Sequence, residues 1–331
     1  MQEIGDGNVN YIYLTEYQGK RVIVKEARPF ARCNPEAFPL SQRRLFFEYS
    51  AYLEYQKWAP ERIPEIFAYE ADRARLTMEY ISPHIVLRKG FIEKKIYPRL
   101  AEHLGQFLAR VGYMSSKYAM PVDTWDAKVQ FFSQNQDMRE IIRALNFTDP
   151  FFGSPLNWWN VELNALVKEI QGPKVQQAAL LLKEQFFSCS QCLAHGDLHT
   201  GSILVTEEDT RIFDPEFVTY APFAYDIGTL FAHLFMAHMK MQNIQPLWAA
   251  YCSAFRSLWE SVDSVEAQLE EIWSDALKFM GAEIIRRVIG VAHIADFESI
   301  ADCKLKVARE EEALLVGRDL MMGIYAKGGI C

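Results

Sequence analysis

Apolar and polar positions alternate with a period of two through VNYIYLTEY (Val9 to Tyr17) and again through RVIVKEA (Arg21 to Ala27), with the turn candidate Gln18-Gly19-Lys20 between them. A period of two sends successive side chains to opposite faces, so the pattern predicts paired strands. Apolar runs at RIPEIFAYE and RLTMEYI predict two more. Between these, SQRRLFFEYSAYLEYQKW carries Leu45, Tyr49, Tyr52 and Leu53 at helical spacing and predicts one amphipathic helix across the sheet. Near Ser82-Pro83 the pattern changes, and YPRLAEHLGQFLARVGYM and VELNALVKEIQ read as helices, while Asp123 to Asn160 has no decisive period. CLAHGD with ILV, and TRIFDPEF, read as short strands in a hairpin-like arrangement, followed by DIGTLFAHLFMAHM as a buried helix. Asp263-Ser264-Val265-Glu266 has a capping-box pattern opening a helix toward Lys278, with another helix through GAEIIRRVIGVAHIADF. The pattern predicts an α+β chain with a small β-rich lobe over residues 1–81 and a larger, mainly helical lobe over 82–331.

Half of the 331 residues are hydrophobic. That is enough chain for two lobes at roughly 100 to 200 residues per domain. The net charge of −8 and pI near 5.5 argue against a nucleic-acid partner, whose phosphates require a clustered basic face; Lys and Arg are scattered instead. No segment approaches the ~18 continuous apolar residues of a membrane span. MQEIGDGNVN also lacks the charged and apolar regions of a signal peptide, so no membrane partner and a cytoplasmic location are expected. The six cysteines show no disulfide-scaffold spacing, and the lone CxxC of Cys189 and Cys192 lacks a second pair, which points to incidental thiols.

The segment HGDLHTGSILV, residues 195–205, puts an aspartate in a loop after a short apolar run. On its own, HGD is an ordinary turn. Phosphoryl transfer needs a lysine for nucleotide phosphates, an aspartate for the acceptor hydroxyl and an acidic group for metal, and the chain supplies these types in that order. Lys25 ends VIVK, Asp197 sits in HGD, and Asp214 and Glu216 follow in DPEF. Asp197 would accept a hydrogen bond from the substrate hydroxyl, with His195 buttressing its loop. Asp214 would ligate Mg²⁺, a hard cation that favours carboxylate oxygen, and Glu216 would add a ligand or hold a water. Upstream, Gly5, Asp6, Gly7 and Asn8 read equally as an ordinary turn or as a glycine loop able to turn N–H groups toward phosphate oxygens. Glu48 on the following helix is a candidate ion-pair partner for Lys25, and Glu54 competes for that role. Asp214 and Asp226 are twelve positions apart. That leaves no room for a protein-kinase activation segment, so the acceptor is expected to be a small alcohol rather than a peptide. Arg286-Arg287, read alone, is a solvated helix face.

These residues in this order resemble the protein-kinase-like fold and, within it, the aminoglycoside and choline kinase group that phosphorylates small molecules. HGDLHTGSI with Thr200 and Ser202, Asp214-Pro215-Glu216-Phe217 in place of D-F-G, Asp226-Ile227-Gly228, and the twin arginines in EIIRRVIGVAHIADF are similar to the S-methyl-5-thioribose kinase family. So are IGDGNVNYIY, RKGFIE and NFTDPFF, and the similarity runs nearly end to end. The resemblance implies a bilobal fold, ATP and Mg²⁺, transfer of the γ-phosphate to the sugar's 1-hydroxyl in methionine salvage, and a homodimer. It makes Asp197 the catalytic aspartate and places Arg286 and Arg287 against the sugar hydroxyls and the transferring phosphoryl group, where guanidinium donors stabilise oxyanion charge. Asp214 and Glu216 become the metal site. The nucleotide side takes the loop of Gly5, Asp6, Gly7 and Asn8, the Lys25 and Glu48 pair, and Glu79, Tyr80 and Ile81, where the hinge meets adenine. Ser202 stands where most kinases keep a metal-binding asparagine, which leaves it a doubtful ligand and gives Glu216 the substitute role. A kinase of another sugar or amino alcohol, or a catalytically silent nucleotide-binding protein, are the alternatives.

Overall fold

The computed structural model describes residues 2–4, 9–32, 39–259 and 262–324. Strands β1 Gln2–Glu3, β2 Tyr11–Tyr17, β3 Lys20–Glu26, β4 Ile66–Glu70 and β5 Arg75–Glu79 form one antiparallel sheet in the order β1-β2-β3-β5-β4. Tyr17 pairs with Lys20 across a two-residue turn whose φ angles are 50° at Gln18 and 77° at Gly19. Two positive φ angles match the right-handed twist of the flanking strands, which is why this short hairpin closes here. Helix α1, Arg44–Trp58, packs on β5. Its buried face runs through Leu45, Glu48, Ala51, Tyr52 and Tyr55, steps of three and four. Tyr49 is half-buried and Leu53 is exposed, so the helix is rotated from the face the sequence suggested, and this rotation turns Glu48 inward.

Helices dominate the remainder. β6 Ile85–Val86 leads into α2 Leu87–Ile92 and α3 Leu100–Met114. Helices α4 Val122–Ser133, α5 Gln136–Phe147 and α6 Asp149–Phe152 fill the stretch that had no decisive period, and α7 Asn164–Ile170 and α8 Pro173–Ser188 follow. Four short strands come next: β7 Cys192–Ala194, β8 Ile203–Val205, β9 Thr210–Ile212 and β10 Thr219–Ala221. β8 and β9 form a hairpin with β6 on its far edge, whereas β7 pairs with β10, a strand the sequence pattern did not reveal.

Helix α9 Ala224–His238 is buried on nearly every side, and α10 Gln245–Arg256 packs on α3. The two helices expected after Asp263 are one, α11 Val262–Ile289, so the capping-box pattern lies inside its first turn. Gly281 does not interrupt it. A Cβ there would sit 2.5 Å from the Gly317 carbonyl of α13 Cys303–Met321, so this glycine permits close helix packing. The helix stops at Ile289, and of GVAHIADF only Ala295–Glu298 is helical again, as α12. All ten residues from Gly281 to Gly290 are buried, with α9 and α13 packed against α11. No helix among the described residues is long and apolar enough to cross a membrane.

Candidate active site

Lys25 projects from β3 into a cluster of carboxylates. Its Nζ lies 2.7 Å from Glu48 Oε2, forms an ion pair with Asp214 and is 3.9 Å from Glu216 Oε2. Glu54, the competing partner, points elsewhere and pairs with Lys57 and Lys128. Burial acts to lower the Lys25 pKa, but Asp214, Glu48 and Glu216 outweigh it and raise it well above the ordinary value, so the ammonium stays charged. Asp214 has a φ of 69°, and its backbone N–H donates to the Tyr52 hydroxyl at 2.8 Å. Glu216 accepts from Asn10 Nδ2 at 2.6 Å, and Asn10 Oδ1 in turn accepts from the buried Arg44 Nε at 3.0 Å. This chain of contacts ties the start of α1 to the segment after β9.

The HGD loop is gripped from beneath. Asp226, at the start of α9, accepts the backbone N–H groups of His195 at 2.6 Å and Gly196 at 3.1 Å. Gly196 has a φ of +88°, and a Cβ there would stand 2.2 Å from the Phe217 carbonyl oxygen, so the turn excludes any side chain. His195 Nε2 lies 2.9 Å from the Phe213 carbonyl and its Nδ1 accepts the Asp197 N–H at 3.4 Å, which links the loop to the strand end before Asp214. The Ser202 hydroxyl is used within the loop: it accepts the His199 N–H at 2.9 Å and lies 3.2 Å from the Asp197 carbonyl oxygen.

Asp197 faces two guanidiniums and an imidazole. Its Oδ1 is 3.0 Å from Arg286 and 3.2 Å from Arg287, and its Oδ2 is 3.3 Å from His199 Nε2. Burial pushes its pKa up, but His199 and the two arginines outweigh burial and hold it well below the usual carboxylate range. Arg286 and Arg287 are 6% and 7% exposed, which overturns the solvated-face reading. Each donates its Nε to Glu283, one turn earlier on α11, with Arg287 Nε at 2.7 Å from Oε1. Glu283 also lies 3.0 Å from His233 Nε2. With each Nε held by Glu283, a terminal nitrogen of each arginine reaches Asp197.

At the end of β5, Glu79 has its backbone N–H on the Glu65 carbonyl at 2.8 Å and its carboxylate accepting the Glu65 N–H at 3.1 Å. Tyr80 lies under the Arg21 guanidinium, 4.8 Å from ring centroid to Cζ, and Ile81 is buried. Gly5, Asp6, Gly7 and Asn8 lie outside the described residues.

Residues 1–264 match the phosphotransferase enzyme family. The chain belongs to that family. A methylthioribose kinase of Exiguobacterium sibiricum is 36% identical to this phosphotransferase over 340 residues, covering 97% of this chain and 87% of that protein. One from Escherichia coli is 33% identical over 362 residues, covering 97% and 86%. In fold, the phosphotransferase resembles a choline kinase of Cryptosporidium parvum with a TM-score of 0.50 at 16% identity, over 98% of this chain and 90% of that one.

The donor set of this phosphotransferase fits a divalent cation. Glu48, Asp214 and Glu216 offer carboxylate oxygens within 4.8 Å of one another. Glu216 is raised well above its ordinary pKa by burial first and by Asp214 next, with Lys25 opposing, the mark of a cluster short of positive charge. A second cluster, His293, Glu298 and Glu310, has Lys306 at 2.7 Å from Glu298 and 3.7 Å from Glu310, and none of its members is among the residues expected to serve phosphoryl transfer. Several groups escaped the sequence reading: Glu283, Asn10, Arg44, Arg88 and the clamp role of Asp226. Glu283 had a signal, since it precedes the twin arginines by three and four positions, the spacing of side-chain pairs on one helix face. Arg88 lay within RKGFIE, which sequence alone could not connect to the HGD loop.

Proposed function

We propose that this phosphotransferase transfers the γ-phosphoryl group of ATP to the 1-hydroxyl of S-methyl-5-thioribose, releasing ADP. The near full-length similarity to enzymes named methylthioribose kinase supports the acceptor. The observation that carries the chemistry is the convergence of Arg286 and Arg287, both held by Glu283, on Asp197. Asp197 accepts a hydrogen bond from the sugar hydroxyl and orients its oxygen in line with the γ-phosphorus. A carboxylate held at so low a pKa is a weak base, so the hydroxyl proton moves to it late, after the bond to the leaving ADP oxygen has loosened. The terminal nitrogens of Arg286 and Arg287 bind the sugar hydroxyls and offset charge on the moving phosphoryl group, with little reorganisation because their Nε atoms are already anchored. Lys25, braced by Glu48, pairs with the nucleotide phosphates. Asp214 and Glu216 would hold Mg²⁺, which when bound neutralises phosphate charge.

The test is ADP release by the purified protein with Mg-ATP and methylthioribose, ribose, choline, homoserine or an aminoglycoside. Methylthioribose is expected to give the highest kcat/KM, and Asp197→Asn should lower turnover by at least about 10²-fold while keeping ATP affinity. Preference for another acceptor would overturn the substrate, and wild-type turnover by Asp197→Asn would remove that residue from the mechanism.

A further inference from the structure

His199 touches Asp197 yet has no part in the transfer just described, and its other nitrogen shows why it matters. His199 Nδ1 accepts the Gly201 backbone N–H at 2.8 Å and lies 3.3 Å from a terminal nitrogen of Arg88. A ring nitrogen facing two N–H donors must be the one that carries the lone pair. The proton of His199 is therefore on Nε2, 3.3 Å from Asp197 Oδ2. The same Arg88 nitrogen bears a second hydrogen, and 3.5 Å away is Nδ1 of His233 on α9. His233 must then also carry its proton on Nε2, 3.0 Å from Glu283 Oε1.

We propose that Arg88 fixes both histidines as neutral Nε2–H donors, and that His199 is thereby a positioning residue that holds the Asp197 carboxylate without sharing its charge changes. The role of His199 rests on the reading of Asp197 as the group that receives the acceptor hydroxyl.

Arg88 is itself held by the loop it serves. Its backbone N–H donates to the Thr200 carbonyl at 3.0 Å, its Nε donates to the Thr200 hydroxyl at 3.2 Å, and Asp296 lies 3.3 Å from that Nε as a counterion. A histidine beside a carboxylate ordinarily gains a proton. Here a third N–H on Nδ1 would point into Gly201 and the Arg88 cation, so protonation would break both contacts. Among the described residues, the charged and titratable groups acting on His199 are Asp197, Arg88, Arg287 and His233, two of them permanent cations. Burial is the largest influence lowering both imidazoles, with Asp197 opposing it at His199 and Glu283 opposing it at His233. The pair of carboxylates that organises the twin arginines is thus braced by two uncharged donors tied to a single guanidinium.

The test combines imidazole nitrogen spectra with kinetics. In ¹⁵N-histidine-labelled protein, with His199→Gln and His233→Gln used for assignment, both rings are expected to remain Nε2–H between about pH 5 and pH 8, the range in which an ordinary histidine changes charge. A His199 that titrates in that range, or carries its proton on Nδ1, would overturn the proposal. In Arg88→Lys, which has no planar fork, His199 should begin to titrate there, and an unaltered spectrum would remove Arg88 from the role. His199→Ala should lower kcat by up to about 10²-fold, as a displaced reacting group does, with KM for ATP unchanged. His199→Gln, whose amide nitrogen reaches the Nε2 position, should restore most of it. Equal losses in both variants, or a loss confined to KM for ATP, would show that the N–H is not what positions Asp197. The spectra need no acceptor, so failure of methylthioribose as substrate with the expected spectra would fell the substrate assignment alone.

Discussion

Glu283 is the residue on which the grouping of Arg286, Arg287 and His233 depends. It is 2% exposed and receives both arginine Nε groups and His233. Burial raises its pKa, but Arg286 and Arg287 outweigh burial and hold it well below the ordinary value. Removing one member of a buried, paired cluster costs about 3–5 kcal/mol, so Glu283→Gln should lower the urea midpoint strongly at neutral pH. The folded pKa is depressed, so the stabilisation is present above the unfolded value of about 4.3 and is lost as pH falls through the depressed folded pKa. The gap between wild type and Glu283→Gln should therefore narrow below about pH 4. A gap independent of pH would mean that the carboxylate charge contributes nothing. At this scale the sequence was legible where chemistry lies in consecutive residues, as in HGD, VIVK and DPEF. It was not legible for Arg88 and His199, which meet across a separation of 111 residues. Nor did it show that Arg286 and Arg287 are buried, because polar residues on a helix read as solvated until their neighbours in space are known.

At the scale of elements, Asp197 is delivered by a backbone turn with little slack. The turn at Gly196 has a positive φ and the Phe217 carbonyl against it. Gly196→Ala should cost more than about 1 kcal/mol, since the strained φ and the displaced segment after Asp214 both count against it. Thermal unfolding and turnover should fall together, and an unchanged midpoint would show that the loop has another way to close. The hairpin of β2 and β3 was legible because its period of two and its Gln18-Gly19 turn are local signals. The β7 and β10 pair was not, since three-residue strands carry too little pattern. The continuity of α11 was also hidden, because Gly281 reads as a weak point along the chain and acts as a packing contact in the fold.

In the whole molecule, the candidate site draws Lys25 from the N-terminal sheet, Glu48 from α1, Asp214 and Glu216 from the segment after β9, and the twin arginines from the buried run of α11. The composition and pattern made this division legible, while the depth of α11 could be seen only once α9 and α13 were packed around it. Surface loops open at little cost, whereas buried helices exchange their amide hydrogens only when the surrounding unit opens. Amides of Gly281 to Gly290 should therefore exchange with the free energy of global unfolding, as read by hydrogen exchange resolved to single residues or short peptides. Faster exchange there than in α9 would show that α11 opens independently. Because the twin arginines lie on that buried run, warming should release them only as the surrounding molecule unfolds. A partly heat-inactivated sample should contain fewer working molecules, each with the original kcat and KM, rather than a population of uniformly slowed ones.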